Sequence, residues 1–336
     1  MDLSTNYMGL ALRNPLVASP SPLSYTLDGI KRLADGGVGA IVLFSLFEEQ
    51  LREEAARNIR LVEETAESFP EALDYFPAVA EEDVGPRSYL VLLERAVSAV
   101  DVPVIASLNG VTPEGWTEHA RAMQDAGAAA IELNIYYLPG DPGISGREVE
   151  QRHLDVLEHV KSAVSVPVAV KLSPYFSSPG EMMMRLDDAG ADALVLFNRF
   201  LQPDIDPEQL AVLPKVNLSS HADARLACTW IALLRGKASA SLAATSGLAV
   251  PADLVRYLLA GADVVMTTSA LLRHGPKYAE ELLAGLTTWM ARKGFTSLDE
   301  VRGLLSVPAV ADADAYERAG YVTAMRAANA GAYNPW

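Results

Sequence analysis

Cysteine is almost missing from this sequence, with Cys228 the single one in 336 residues. That excludes an internal disulfide framework, and it excludes a cysteine-ligated iron–sulfur cluster held by this chain alone. No uninterrupted apolar run is long enough to cross a bilayer. The first residues, Met1-Asp2-Leu3-Ser4-Thr5-Asn6, carry neither the basic region nor the apolar stretch of a signal peptide. Positive charge is scarce: 27 Lys and Arg stand against 43 Asp and Glu, for a net charge of −16. Such a chain is a poor partner for nucleic acid or an anionic membrane. The five histidines show no metal-ligand spacing. His119, His153 and His159 fall on stretches expected to be outer helices with solvated surfaces, and His221 and His274 follow apolar runs. Cys228 lies in an apolar helical stretch and reads as core. What remains is a cytoplasmic protein, half of it hydrophobic, with material for a large core.

One pattern recurs along that core. Leu33-Ala34-Asp35-Gly36-Gly37-Val38-Gly39-Ala40-Ile41-Val42-Leu43 is echoed by Met123-Gln124-Asp125-Ala126-Gly127-Ala128-Ala129-Ala130-Ile131-Glu132-Leu133-Asn134. It returns at Leu186–Asn198 and, shorter, at Leu259–Met266. Each copy reads as the last turn of a helix, a glycine cap and a buried strand. Repeated helix-to-strand joints imply parallel strands joined by crossover helices. With the other apolar runs they give eight strands, at 15–19, 39–44, 103–108, 129–134, 167–172, 193–197, 241–245 and 263–267. Eight such units close a TIM (β/α)8 barrel. A doubly wound open sheet is the alternative, but no Gly-x-Gly-x-x-Gly turn follows the first strand.

Two connections exceed what a barrel needs. The first, 45–102, is a long acidic insertion between the second and third strands. Its part Leu46–Ser68 reads as a charged surface helix with solvated acids, and Phe69–Arg87, rich in proline and aromatics, as a lid over the barrel mouth. The second, 198–240, carries Pro203, Pro207 and Pro214. A barrel-closing helix runs from Pro276 to about Lys293. The expected division is a barrel domain over 1–306 and a carboxy-terminal extension over 307–336, whose tail is free to pack on a neighbouring subunit of a homodimer.

In such barrels the chemistry sits where the strands end. Here the ends are Ser19, Ser45, Asn109, Asn134, Lys171, Asn198, Thr245-Ser246-Gly247 and Thr267-Thr268-Ser269. A lysine inside Pro167-Val168-Ala169-Val170-Lys171-Leu172 is costly to bury unpaired. It either passes beyond the strand into solvent or faces a mouth that holds an anion or an electron-rich ring. Small hydroxyl residues and glycine after the last two strands, each before a helix start, suit a phosphate held by backbone N–H groups.

These residues resemble the dihydroorotate dehydrogenase family of FMN-dependent barrels over most of 9–306. Gly9-Leu10-Ala11-Leu12-Arg13-Asn14-Pro15-Leu16-Val17-Ala18-Ser19 is similar to the family's opening segment. Glu132-Leu133-Asn134 with Pro139-Gly140-Asp141-Pro142 is similar to its fourth strand and catalytic loop, and Val170-Lys171-Leu172-Ser173-Pro174 to its flavin-lysine strand. Asn217-Leu218-Ser219-Ser220 resembles its glycine-rich loop, and Thr245–Gly247 with Thr267-Thr268-Ser269-Ala270-Leu271 its phosphate loops. The resemblance implies FMN bound by Ala18, Ser19, Ser45, Asn109, Asn134, Lys171, Ser219, Ser220, Thr245, Ser246, Gly247, Thr267, Thr268 and Ser269. It implies a small-molecule substrate held by Asn134 and Asn198, and oxidation of a small CH–CH donor, dihydroorotate or a related molecule, by hydride transfer to FMN. It also implies a place in pyrimidine biosynthesis and a separate electron acceptor, such as an iron–sulfur partner subunit. Lys171 would donate to the N1/O2 edge of the ring, where negative charge collects on reduction.

The departures fall on the substrate half. Where the family has a cysteine or serine base, this chain reads Asn134-Ile135-Tyr136-Tyr137-Leu138-Pro139, leaving Tyr136 and Tyr137 as the candidates for proton transfer beside Lys171. Phe44 stands where the soluble classes have a lysine, and Ala80-Glu81-Glu82-Asp83-Val84-Gly85 replaces an asparagine-rich substrate loop. Two other readings stay open: a Schiff-base phosphosugar lyase acting through Lys171, and a flavin-binding protein without dihydroorotate turnover.

Overall fold

The computed structural model describes residues 1–49, 85–110, 116–199, 202–213, 217–310, 316 and 318–329. Its centre is a closed barrel of eight parallel strands: β3 (Leu16–Ala18), β4 (Ala40–Phe47), β5 (Val104–Asn109), β6 (Ala130–Asn134), β7 (Val168–Leu172), β8 (Ala193–Leu196), β11 (Ser241–Ala244) and β12 (Val264–Thr267). The barrel closes through β12 against β3. All eight expected strands are present, and the joints between them are the expected helices. These are α1 (Leu27–Asp35), α2 (Pro86–Ala99), α3 (Trp116–Asp125), α4 (Gly146–Ala163), α5 (Pro179–Asp188), α6 (Ala224–Leu234), α7 (Pro251–Ala260), α8 (Ser269–His274) and α9 (Tyr278–Lys293).

Because each strand is apolar on both faces, alternate residues supply two separate cores. Outward residues such as Ile41, Leu43, Leu108, Ile131, Leu133, Val170 and Leu194 pack under the helices. Inward residues form a second cluster made largely of Ala40, Ala130, Ala169, Ala193 and Ala243 with Val17, Val42, Ile105, Val195, Val264 and Met266. Five alanines leave the barrel interior open. The space is taken by Tyr7, Met8 and Leu12 from an amino-terminal hairpin, β1 (Thr5–Tyr7) and β2 (Leu10–Leu12). Thr5 Oγ1 donates to the Asp263 carbonyl, and the Met8 N–H donates to Ser241 Oγ, both at the starts of strands. The hairpin therefore plugs the end opposite the polar strand termini.

The repeated Ala-Gly-Ala-Asp joint has a physical reason. Asp192 Oδ2 accepts from the Val168 N–H at 2.7 Å, and Asp263 Oδ2 from the Leu242 N–H at 2.8 Å. Each aspartate thus satisfies an N–H in the first two residues of the neighbouring strand, where leaving it buried and unpaired would be costly. Each also meets a cation: Lys161 for Asp192 at 2.7 Å, and Arg235 and Arg302 for Asp263 at 3.0 and 3.5 Å.

Several local expectations change. β4 runs on to Phe47, so Leu46 and Phe47 are strand and not the start of a helix. A shift of register between Val42 and Ser45 frees the Phe44 N–H, which donates to Ser24 Oγ at 2.8 Å. The rest of the expected acidic helix and lid, 50–84, lies outside the described residues, although Glu48 is buried and not on a solvated face. The 198–240 connection contains an exposed hairpin, β9 (Asp204–Asp206) and β10 (Ala211–Leu213), that its prolines obscured. His153 is buried, 2% exposed, not on a solvated helix face. Its Nδ1 lies 2.8 Å from the Val149 carbonyl, and its ring meets Phe176 edge-on. In the carboxy-terminal extension, α10 (Arg318–Asn329) follows a segment whose Val307 N–H donates to the Ala232 carbonyl. Among the described residues no helix is long and apolar enough to cross a membrane.

Two predictions follow from this packing. Asp263→Ala leaves the Leu242 N–H and two arginines without their acceptor, and is expected to lower unfolding free energy by about 2–4 kcal/mol in urea titrations. Burial pushes the His153 imidazole below its ordinary range. Below about pH 6.5 the unfolded chain then binds a proton that the folded chain refuses. Stability should fall as pH drops from about 6.5 toward 5, by up to about 1.4 kcal/mol per unit from this group. His119, also lowered by burial, adds to the slope. His153→Gln should flatten it, which chemical denaturation across that range would reveal.

Candidate functional site

The strand ends open into one cleft of ≈ 800 Å³. Of the residues expected in it, Ser19, Ser45, Asn109, Asn134, Tyr136, Lys171, Asn198, Ser219, Thr245, Ser246, Gly247, Thr267, Thr268 and Ser269 all line its wall. Ala18 is buried one residue behind Ser19. Ser220 turns away, its N–H and Oγ both donating to Asp223 at the start of α6. Tyr137 also lies outside, with its ring 4.1 Å from the Arg152 guanidinium. Tyr136 is thus the tyrosine that reaches the cleft.

At the floor, register does the positioning. Asn109, Asn134 and Lys171 stand on neighbouring strands, with Asn109 paired to Asn134 and Asn134 to Lys171. All three share the inward parity, so their polar ends rise side by side. Asn198 Nδ2 donates to Asn134 Oδ1 at 2.6 Å, which orients both amides. One layer deeper, Ser45 and Ser107 share a hydroxyl hydrogen bond at 2.9 Å. The Ser107 N–H donates to the buried phenol of Tyr89.

Lys171 is buried, and its charge is balanced. Its Nζ lies 3.2 Å from Glu132 Oε1, with the lysine side chain 8% and the glutamate 1% exposed. The other carboxylate oxygen, Oε2, and the Tyr7 hydroxyl have no hydrogen-bond partner among the described residues. Burial first, and the Glu132 charge second, push the Tyr7 phenol well above its ordinary range. Behind the ring of strand ends, a carboxylate thus lies against the cation. Its signal was in the sequence, since Glu132 interrupts an apolar strand at the same parity as Asn134.

The opposite end of the cleft is lined by small hydroxyl residues and a glycine turn. Gly247 has φ +70°, and a Cβ there would stand 2.3 Å from the Ala224 N, so glycine alone lets this turn lie against the start of α6. Ser246 also has positive φ, and its carbonyl accepts from the buried Tyr257 hydroxyl at 2.6 Å. The Ser219 N–H and hydroxyl both donate to Ser269 Oγ at 3.0 Å. Arg273 on α8 donates to the Ser219 and Leu218 carbonyls, at 2.7 and 3.1 Å, pinning the 217–220 loop to the loop after β12. Thr268 Oγ1 reaches the carbonyls of Ser19 and Pro20.

The third side is aromatic. Phe44 sits edge-on to Tyr25 at 4.7 Å and to Tyr89 at 5.0 Å, and Phe47 lies at the rim, exposed. Arg199, which the sequence reading passed over, lines the cleft while donating to the Asn217 carbonyl. Among the described lining residues there is no carboxylate, in a chain of net charge −16. Among the described residues no cluster of His, Cys, Asp and Glu suits a metal ion. Cys228, its thiol pushed up to about 12 by burial, is no nucleophile.

The wall fits a phosphate-tailed aromatic ring in the chemistry of its donors. It offers one ammonium and three amides at the floor, aromatic sides, and small hydroxyl residues with a glycine turn at the far end. Comparison with known proteins gives the family. The dihydroorotate dehydrogenase profile matches residues 2–290. The catalytic subunit of dihydroorotate dehydrogenase B (NAD(+)) from Methanothermobacter thermautotrophicus is 27% identical over 311 residues, covering 90% of this chain and 98% of that protein. The NAD-dependent dihydropyrimidine dehydrogenase subunit PreA of Escherichia coli K12 is 26% identical over 322 residues, 90% of this chain and 76% of that protein. The catalytic subunit of dihydroorotate dehydrogenase B from Methanocella arvoryzae is 27% identical over 307 residues, with 90% and 98% covered. The chain belongs to the dihydroorotate dehydrogenase family, oxidoreductases that act on CH–CH groups.

Proposed function

We propose that this chain binds FMN in the cleft and oxidises a small CH–CH donor, dihydroorotate or a related dihydropyrimidine, with hydride passing to the flavin. The observation that carries this reading is the described wall of the cleft, which joins Lys171 at one end to the Thr245–Gly247 and Thr267–Ser269 turns at the other with no carboxylate among its described residues. Bound FMN supplies the two-electron acceptor for a hydride leaving carbon. The two turns would hold the phosphate through backbone N–H groups and hydroxyls, with Ser219 bracing Ser269 beside them. Lys171 would supply a cation to the part of the ring that gains negative charge. Asn109, Asn134 and Asn198 would offer amide donors and acceptors to the ring and the donor. The second hydrogen leaves the donor as a proton, and we assign its uptake to Tyr136, the one of the two adjacent tyrosines that lines the cleft.

The substrate half is less like a dihydroorotate site than the flavin half is like a flavin site. Phe44 and its aromatic neighbours present no charge to a donor carboxylate, and Arg199 is engaged with a loop carbonyl. That composition supports a donor without a carboxylate as strongly as dihydroorotate itself. That two of the relatives are a catalytic subunit and a subunit of larger enzymes supports electron exit through a separate partner. A single cysteine in the whole chain leaves no cluster of its own for that task. The lyase reading is disfavoured by the ion pair, because an ammonium held against a carboxylate has no lone pair for carbonyl attack.

The purified protein should be yellow, or should take up FMN on incubation, with flavin absorption in both cases. Anaerobic addition of dihydroorotate and of a dihydropyrimidine lacking the carboxylate should bleach the flavin with at least one of the two. Protein that stays colourless with added FMN would end the reading, and trapping of a phosphosugar on Lys171 by borohydride would replace it. Tyr136→Phe should slow bleaching at least about tenfold with flavin binding unchanged. Arg273→Ala should free the 217–220 loop and weaken FMN binding by about tenfold, a loss near 1.4 kcal/mol, measured by fluorescence titration.

A further inference from the structure

Glu132 is the one buried charge of the barrel interior that this reading leaves without a task. It faces inward from β6, two residues before Asn134, and its carboxylate meets Lys171 at 3.2 Å. Lys171 lines the cleft and Glu132 does not, so the ammonium lies between the carboxylate and whatever occupies the site. Beneath it stands the Tyr7 phenol, delivered by the hairpin that plugs the barrel, and neither Glu132 Oε2 nor the Tyr7 hydroxyl is paired among the described residues. A pair of this kind is a poor device for stability, since taking two charges out of water costs several kcal/mol per ion and apolar side chains would serve as well. The half-satisfied carboxylate points to an electrostatic task instead.

Resting on the flavin reading above, we infer that Glu132 is a positioning residue that acts through Lys171, fixing its ammonium beneath the cleft and offsetting part of its charge. A bare lysine would favour the reduced, negative ring strongly. With its counter-charge one layer below, the pair meets the ring as a dipole whose positive end faces the cleft, and the preference for the reduced form is moderated. Because interior dielectric is low, the deeper charge is still felt across that layer.

The measurement is the ratio of dissociation constants for oxidised and reduced FMN. It is taken anaerobically, at one fixed pH for all variants. Glu132→Gln keeps the shape and removes the charge. It should raise the ratio at least about tenfold, equivalent to about 30 mV for a two-electron couple, whereas Lys171→Met should lower it. A Glu132→Gln protein that folds and binds FMN with an unchanged or lowered ratio makes the pair merely structural and overturns the inference. If Glu132→Gln does not fold, Glu132→Asp, which draws the charge back from the lysine, must move the ratio upward, and an unmoved ratio again overturns it. Wild-type protein that takes up no FMN overturns the flavin reading and this inference together. Bound FMN with an unmoved ratio overturns this inference alone.

Discussion

A lysine cannot be buried inside a barrel without something to hold it, and that constraint orders the rest of this molecule. Lys171 is brought to the cleft floor by the parity of β7, and Glu132 is brought beneath it by the same parity on β6. Neither residue would be tolerated there alone. An unpaired buried ammonium or carboxylate loses several kcal/mol of hydration. The small inward residues around them, Ala130, Ala169 and Ala193, make the room that two long charged side chains require.

That room creates a second problem, which the amino-terminal hairpin solves. Barrels of this kind are packed cores and not pores, and alanines on five strands cannot fill one. Tyr7, Met8 and Leu12 enter from below and complete the interior. The plug reaches up to the charged layer, so the segment before the first barrel strand belongs to the same electrostatic unit as the cleft. The glycine turn at Gly247 and the clasp of Arg273 on the 217–220 loop play the corresponding part above. The barrel carries one built end and one sealed end.

Most of this architecture could be read from the chain because it is periodic. The helix–glycine–strand joint recurs with its aspartate, and continuous apolar runs of five or six residues mark parallel strands. All eight appear where the runs stand. The polar strand ends were legible for the same reason: position along a buried strand fixes which end of the barrel a residue reaches. What escaped was set by contacts between distant segments. Glu132 was visible as an acid in an apolar strand, yet its pairing depends on the register between β6 and β7. His153 looked like a surface residue on an amphipathic helix, and only the packing of Phe176 against it buries the ring. The hairpin at 204–213 hid among prolines because its strands are three residues long, too short for alternation to register. Tyr136 and Tyr137 were equivalent in sequence, and the stacking of Arg152 separates them.

The charge distribution ties these parts together. A chain with sixteen excess acids would by default repel a phosphate-bearing ligand, since its summed field is negative. The cleft escapes that default by composition: its described wall has a lysine and an arginine and no carboxylate. The nearest buried acid, Glu132, is screened from the opening by the very ammonium it balances. Among the described residues the opening therefore presents hydroxyls, amides and two cations. In this arrangement an acidic protein keeps an opening without a carboxylate among its described lining, because the strand register places Glu132 behind the lysine and not beside it.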